Sequence, residues 1–284
     1  MLGKLVRLIR PAGSTAKQHP LLPRILAAVG NDITEAPNFA DQLIPAAEEA
    51  LAYFSEQISS IPGPIQLSAQ NLESIPQLAG MIAEGADIDR AFGRSLAVKE
   101  ALPHLLSAGN DEVHALLGMR QKPGNGPEAT PIFADHTLRS LAGNPDDTRE
   151  MLRFAAFDRL LLDFAEHVGK LRRKDRMLKI EWEWNLQHDA ARVMAGEPQP
   201  EYVYAARELT PENQLHGLLT WLSTPKCFFQ LQAPAKDNPA TPGELPLLLC
   251  SDRRQWQVSL VRFSAKEAAA ALQRETHNHR YILI

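Results

Sequence analysis

Three times in this chain an acid stands beside a histidine: Asp135-His136, Glu166-His167 and His188-Asp189. Imidazole and carboxylate are ordinary ligands of zinc and other divalent first-row cations. His136, His167, His188 and Asp189 are therefore the residues from which a metal-dependent hydrolase would be built. Spacing counts against it, because neighbours on a helix point about 100° apart and an adjacent acid does not orient its histidine. Neither the Glu-x-x-His of a di-iron bundle nor the His-Glu-x-x-His of a zinc protease occurs. A second possible chemistry lies in the basic run Lys170, Arg172, Arg173, Lys174 and Arg176, followed by Trp182 and Trp184. Such a run could neutralise phosphates and stack bases, or meet an acidic protein partner. A helix with one apolar seam must carry its charges outside, however, so a solvated or internally paired face is the plainer expectation.

The remaining chemical signals are weaker. His188-Asp189 resembles the paired metal ligands of HD-type phosphohydrolases, but the motif is two residues long and its further ligands have no candidates. Thr276-His277-Asn278-His279 reads as a turn before a final strand, not as a nuclease motif. The sequence has no P-loop, no Gly-x-Gly-x-x-Gly and no Gly-x-Ser-x-Gly. Cys227 and Cys250 each sit in an apolar run and are expected as buried thiols, not as a nucleophile, a disulfide or a metal pair. No cofactor is expected.

These residues depend for their placement on one long element. Asn144 is a preferred N-cap, Pro145 suits the first helical position, and Asp146 and Asp147 complement the helix dipole. The next clear stop is Gly196-Glu197-Pro198. Phe154, Phe157, Leu161, Phe164, Val168 and Leu171 recur at alternating spacings of three and four, a coiled-coil seam. Asp175 interrupts it, and Leu178, Trp182, Leu186, Ala190 and Val193 continue with a shifted stripe. Ile180 to Leu186 alternates apolar and polar like a strand, but no turn residue precedes it, so the helix is expected to continue.

A second seam of equal length, Ile44, Ala47, Leu51, Phe54, Ile58 and Ile61, is the natural packing partner, with Pro45 near its start. Leu21 to Val29 reads as a helix ending at Gly30. Further helices are expected at about 71–85, at 88–107 with Ile88, Phe92, Leu96, Ala101 and Leu105 inside, and from Asn110-Asp111-Glu112 to about Gln121. Residues 122–130 read as a loop, and 131–141 lead into the long helix. Beyond Pro200, Glu201 to Glu208 and Cys227 to Leu231 read as strands, with a helix capped by Thr210-Pro211 between them that ends near Leu222. Leu245 to Cys250 and Trp256 to Phe263 form a hairpin. Ser264-Ala265-Lys266-Glu267 is a capping box opening an alanine-rich helix, and 280–284 ends as a strand.

The expected fold is thus mainly α with a smaller C-terminal α+β domain, its N-terminal helices packed on one long coiled-coil-like central helix. Its regions are a basic segment and linker at 1–20, acidic helices at 21–143, the central helix at 144–196 and the α+β domain at 200–284. In 284 residues, 44% are apolar and 23% charged, the balance of a soluble globular protein. No apolar run approaches the roughly 18 residues of a membrane span. The N-terminus spreads its basic residues instead of placing them before an apolar block, so no secretory signal is read there. Residues 1–10 could touch a membrane surface as a short amphipathic helix, though one such helix binds weakly. The function these features point to is a cytoplasmic interaction or scaffold protein, with a protein partner or a second copy. A helical His/Asp hydrolase and nucleic-acid binding through 170–179 are the alternatives.

Overall fold

The computed structural model describes residues 19–68, 78, 82, 85–122, 132–188, 200–233, 245–250 and 254–279. The chain divides into two compact units, each assembled from two stretches: Met1–Ala52 with Phe157–Pro225, and Tyr53–Ala156 with Lys226–Ile284. Among the described residues no helix is long and apolar enough to cross a membrane.

The first unit is helical. Helix α1 (Leu21–Val29) buries Leu21, Leu22, Ile25 and Val29 along one side. It ends at Gly30, whose φ of 95° is costly for any residue with a Cβ and whose N–H donates to the Leu26 carbonyl. Helix α2 (Phe39–Ser59) carries Pro45 within its second turn and begins in this unit, with Leu43, Ile44, Ala47 and Ala50 buried. The later part of α5 (Pro145–His188) follows, with Phe157, Leu160, Leu161, Phe164 and Val168 buried. Arg24 clamps it through both oxygens of Asp158, at 2.6 and 2.9 Å.

Helices α6 (Pro200–Glu208) and α7 (Pro211–Leu222) also belong to this unit. Thr210 caps α7 by accepting from the Asn213 N–H at 3.4 Å. On α7, Gly217 lies against the Phe164 ring, where a Cβ would make ordinary contact at 3.4 Å. The Phe164 edge meets Trp221 at 5.5 Å.

The second unit is built on a sheet in the order β3-β2-β6-β5-β4. These strands are β2 (Glu112–Lys122), β3 (Ile132–Ala142), β4 (Phe229–Gln232), β5 (Leu247–Cys250) and β6 (Gln255–Ser264). Strand β6 lies antiparallel to β2 from Glu112 opposite Ser264 to Arg120 opposite Trp256, and short β1 (Ile65–Gln66) runs parallel to it. Val113, Ala115, Leu117 and Met119 project at period two into one core with Val261 and Phe263. Helices α3 (Gly85–Arg94), α4 (Leu96–Ser107) and α8 (Ala265–His279) cover that face with Ile88, Phe92, Val98, Leu102, Ala268 and Ala271. The Phe92 and Phe263 rings meet at a tilt of 47°, their centroids 4.7 Å apart.

Edge strand β3 breaks its ladder twice, and at each break the extra residue sits at positive φ, Asp135 at 56° and Ser140 at 54°. Bulges of this kind bend an edge away from further pairing. The end of α2 belongs here too: Tyr53 donates to the Phe229 carbonyl at 3.0 Å, and the Leu231 N–H donates to Gln57 at 2.9 Å.

The long helix forms as expected through residue 188, capped by Asn144, which accepts from the Asp147 N–H at 2.8 Å. The alternating stretch 180–186 is helical. Several expectations fail. Residues 112–122 are a strand, not a helix: their alanine, leucine and methionine favour helix, but their period of two is satisfied between β3 and β6. Residues 132–142 pair with them as a strand. Pro200–Glu208 is a helix although its tyrosines alternate. The helix expected over 88–107 is two, divided at Ser95, which caps α4 through the Val98 N–H and donates to the Leu138 carbonyl. Leu96 therefore faces solvent, and Val98 and Leu102 take its place inside. Helix α8 runs through Thr276–His279, where a turn was expected. Cys227 is exposed, not buried, on a 3-10 turn before β4. The expectations for 1–18, for 71–77, 79–81 and 83–84, for 123–131, for 189–196 and for 280–284 lie outside the described residues.

Candidate functional site

Past Val168 the long helix presents two faces. Leu171, Asp175, Leu178 and Trp182 prolong the buried seam and are half-buried. On the other side, Met177, Ile180 and Trp184 are 63, 60 and 60% exposed. With about 100° per residue, these three fall on one stripe, roughly opposite Leu178. Their spacing of three then four is that of a coiled-coil seam, and Arg173 continues the stripe one turn earlier. The flanks are charged in order. Lys174 then Glu181 border one side, Arg176 then Glu183 the other, and all four are exposed.

The basic run divides by role. Lys170 pairs with Glu166 at 2.9 Å, and this cation holds the Glu166 carboxyl below its usual pKa. Arg172 is turned to its own unit: it binds Asp32 at 2.5 Å and reaches the Oε1 of buried Gln214 at 3.5 Å. It is thus an anchor that fixes the azimuth of α5 against α7. Arg173, Lys174 and Arg176 stay on the outer surface, Trp182 is half-buried, and Trp184 is exposed. Sequence reasoning selected Trp184 but missed Met177 and Ile180. The signal was present, since Met177, Ile180 and Trp184 keep the three-four spacing out of phase with the main seam.

The histidines are dispersed. His136 sits half-buried on β3 in the sheet unit, while its neighbour Asp135 turns to Arg120 at 3.3 Å. His167 belongs to the helical unit, exposed, its ring tilted against that of Trp221 with centroids 5.6 Å apart. His188 ends α5, and Asp189 lies outside the described residues. Among the described residues, no group of three or more His, Cys, Asp or Glu could hold a metal ion.

Two other features carry polar groups. In the sheet unit a cleft of about 340 Å³ is lined by Ser55, Ser59, Asp146, Arg149, Glu150 and Arg153. Its two guanidiniums are matched by two carboxylates, so it offers no net charge to an ionic ligand. On β2, His114 is 7% exposed and its Nδ1 has no hydrogen-bond partner. Desolvation holds its pKa below the usual histidine value, against the opposing pull of Glu112. It is a buried histidine on a strand of the sheet, with the Glu112 carboxylate 3.4 Å from its other ring nitrogen.

Comparison with protein-family models, with curated proteins and with solved structures gives no match.

Proposed function

We propose that this chain is an interaction or scaffold protein whose docking surface is the outer face of α5 between Arg173 and Trp184. The observation that carries the reading is the exposed stripe Met177, Ile180 and Trp184, set on a helix whose other faces are held by Arg24, Arg172 and the Phe164–Trp221 contact. Large apolar side chains grouped on one exposed stripe and rimmed by charge mark a recognition surface, since exposure without a partner gains nothing for folding. Glu181 and Glu183 flank the same stripe, which favours a protein partner over a polyanion such as nucleic acid.

Exposed substitutions away from structural features change stability by about 0.5 kcal/mol or less. Ile180→Glu combined with Met177→Glu should therefore leave the unfolding transition in place and abolish association, whether with a second copy or another protein. Light scattering, together with recovery of partners on wild-type and variant bait, checks this. A wild-type chain that is monomeric at every concentration and retains nothing that the variant loses would remove the proposal.

A further inference from the structure

Resting on that reading, we infer that the occupant of the stripe is a second copy of this chain, its α5 running antiparallel. The order of the flanking charges points there. Along each flank of the stripe the cation comes first and the acid seven residues later: Lys174 before Glu181, Arg176 before Glu183. Turning a second helix end for end brings each acid beside a cation of the other copy. With a two-fold axis between Leu178 and Lys179, Met177 of one copy lies opposite Ile180 of the other. Arg173 lies opposite Trp184, where a guanidinium can rest on the indole face.

The flanks then pair Lys174 with Glu181 and Arg176 with Glu183, each twice by symmetry, so one self-complementary patch satisfies itself. A parallel pair meets only Arg176 with Glu181 on the flanks and sets Arg173 against Arg173 within the seam, a like-charge contact in its least solvated part. Lys174 and Trp184 also interact within their own chain.

The apolar stripe is short, three side chains per copy, so association should be weak, with a Kd on the order of 10 to 100 µM at low salt. Sedimentation velocity on the full chain across that range should show a reversible monomer–dimer equilibrium that weakens as NaCl rises. Lys174→Glu with Arg176→Glu leaves both flanks acidic, and Glu181→Lys with Glu183→Lys leaves both basic. Each variant alone should dimerise about tenfold or more weakly than wild type. Mixed in equal amounts, the two should recover the dimer.

Orientation is read in a Cys227→Ser, Cys250→Ser background, where Met177→Cys and Ile180→Cys chains mixed under oxidation should give the heterodisulfide in preference to either homodisulfide. Preferred Met177→Cys homodisulfides would overturn the antiparallel arrangement. A wild-type chain that stays monomeric overturns self-association. If a different bound protein is then lost on Ile180→Glu, the docking surface survives while this inference falls. A dimer that ignores both Ile180→Glu and the charge exchanges lies elsewhere on the molecule and removes both.

Discussion

Burial strips water from the His114 imidazole faster than the Glu112 carboxylate, 3.4 Å from Nε2, can compensate, so the native state holds this pKa below the usual value. Well above the unfolded histidine pKa of about 6.5, both native and unfolded chains carry it neutral, and it adds nothing to the pH dependence. As pH falls further, the unfolded chain takes up a proton that the native sheet resists. Stability must decline until the native pKa is passed. His114→Leu removes that term. In urea titrations between pH 7.5 and 5, the variant's stability should fall less steeply than that of wild type, and parallel curves would show that His114 is not the group responsible. Gly63 is the other residue with a sharp expectation. It holds a φ of 113°, and a Cβ added there would run into the Leu260 carbonyl oxygen. Alanine has neither the conformational freedom nor the space, so Gly63→Ala should lose about 2–4 kcal/mol by chemical denaturation. Gly30, at a φ of 95° but with open space around it, should lose only the backbone part of that cost.

Among the elements, the two seams give the clearest energetic test. Phe54 is fully buried, edge-on to Tyr53 and Phe229, and Phe164 is enclosed against Trp221 and Gly217. Truncation to alanine removes a ring and leaves a cavity in each case, so Phe54→Ala and Phe164→Ala should each cost about 3–5 kcal/mol. Urea titrations that find both neutral would mean that neither ring is enclosed. The elements easiest to read in the sequence were those whose local signals agree with one another. Helix α1 was legible to its end residues, and the Asn144 cap, the apolar period and the absence of Gly-Pro all supported α5. Strands β2 and β3 were hidden for a physical reason. Val113, Ala115, Leu117 and Met119 do alternate, but Leu116 on the other face is buried too, which fills in the pattern, and Asn110-Asp111 imitates an N-cap. Pairing with β6, more than 130 residues away, decides the matter, and no local window contains it. The candidate surface was half legible for a related reason. A seam that is covered and a seam that is bare share one spacing, and only the neighbours of α5 distinguish Leu178 from Ile180.

For the molecule as a whole, the decisive fact is that neither compact unit is a continuous stretch of chain. The division falls inside α2 and again inside α5, and residues 226–284 rejoin a unit begun at Tyr53. The C-terminal 85 residues read from sequence as an α+β domain with a core of its own. In the structure, β6 is instead an inner strand whose longest pairing is with β2, and its Val261 and Phe263 are enclosed with Val113, Ala115, Leu117, Phe92 and Val98. Helix α7, in the same stretch, belongs to the other unit, where Trp221 meets Phe164. A chain limited to residues 200–284 would expose the inner face of β6 and leave one side of its ladder unpaired, a combination that favours aggregation over folding. Expressed alone, that fragment should show no cooperative thermal transition and poor amide dispersion, whereas the full chain should unfold cooperatively. Co-expression with residues 1–199 should restore a soluble complex, because every strand of the sheet is then present. A folded, monomeric 200–284 fragment with a sharp transition would show that the hairpin and α8 suffice for a core, and that the pairing of β2 with β6 is an addition to the fold, not its foundation.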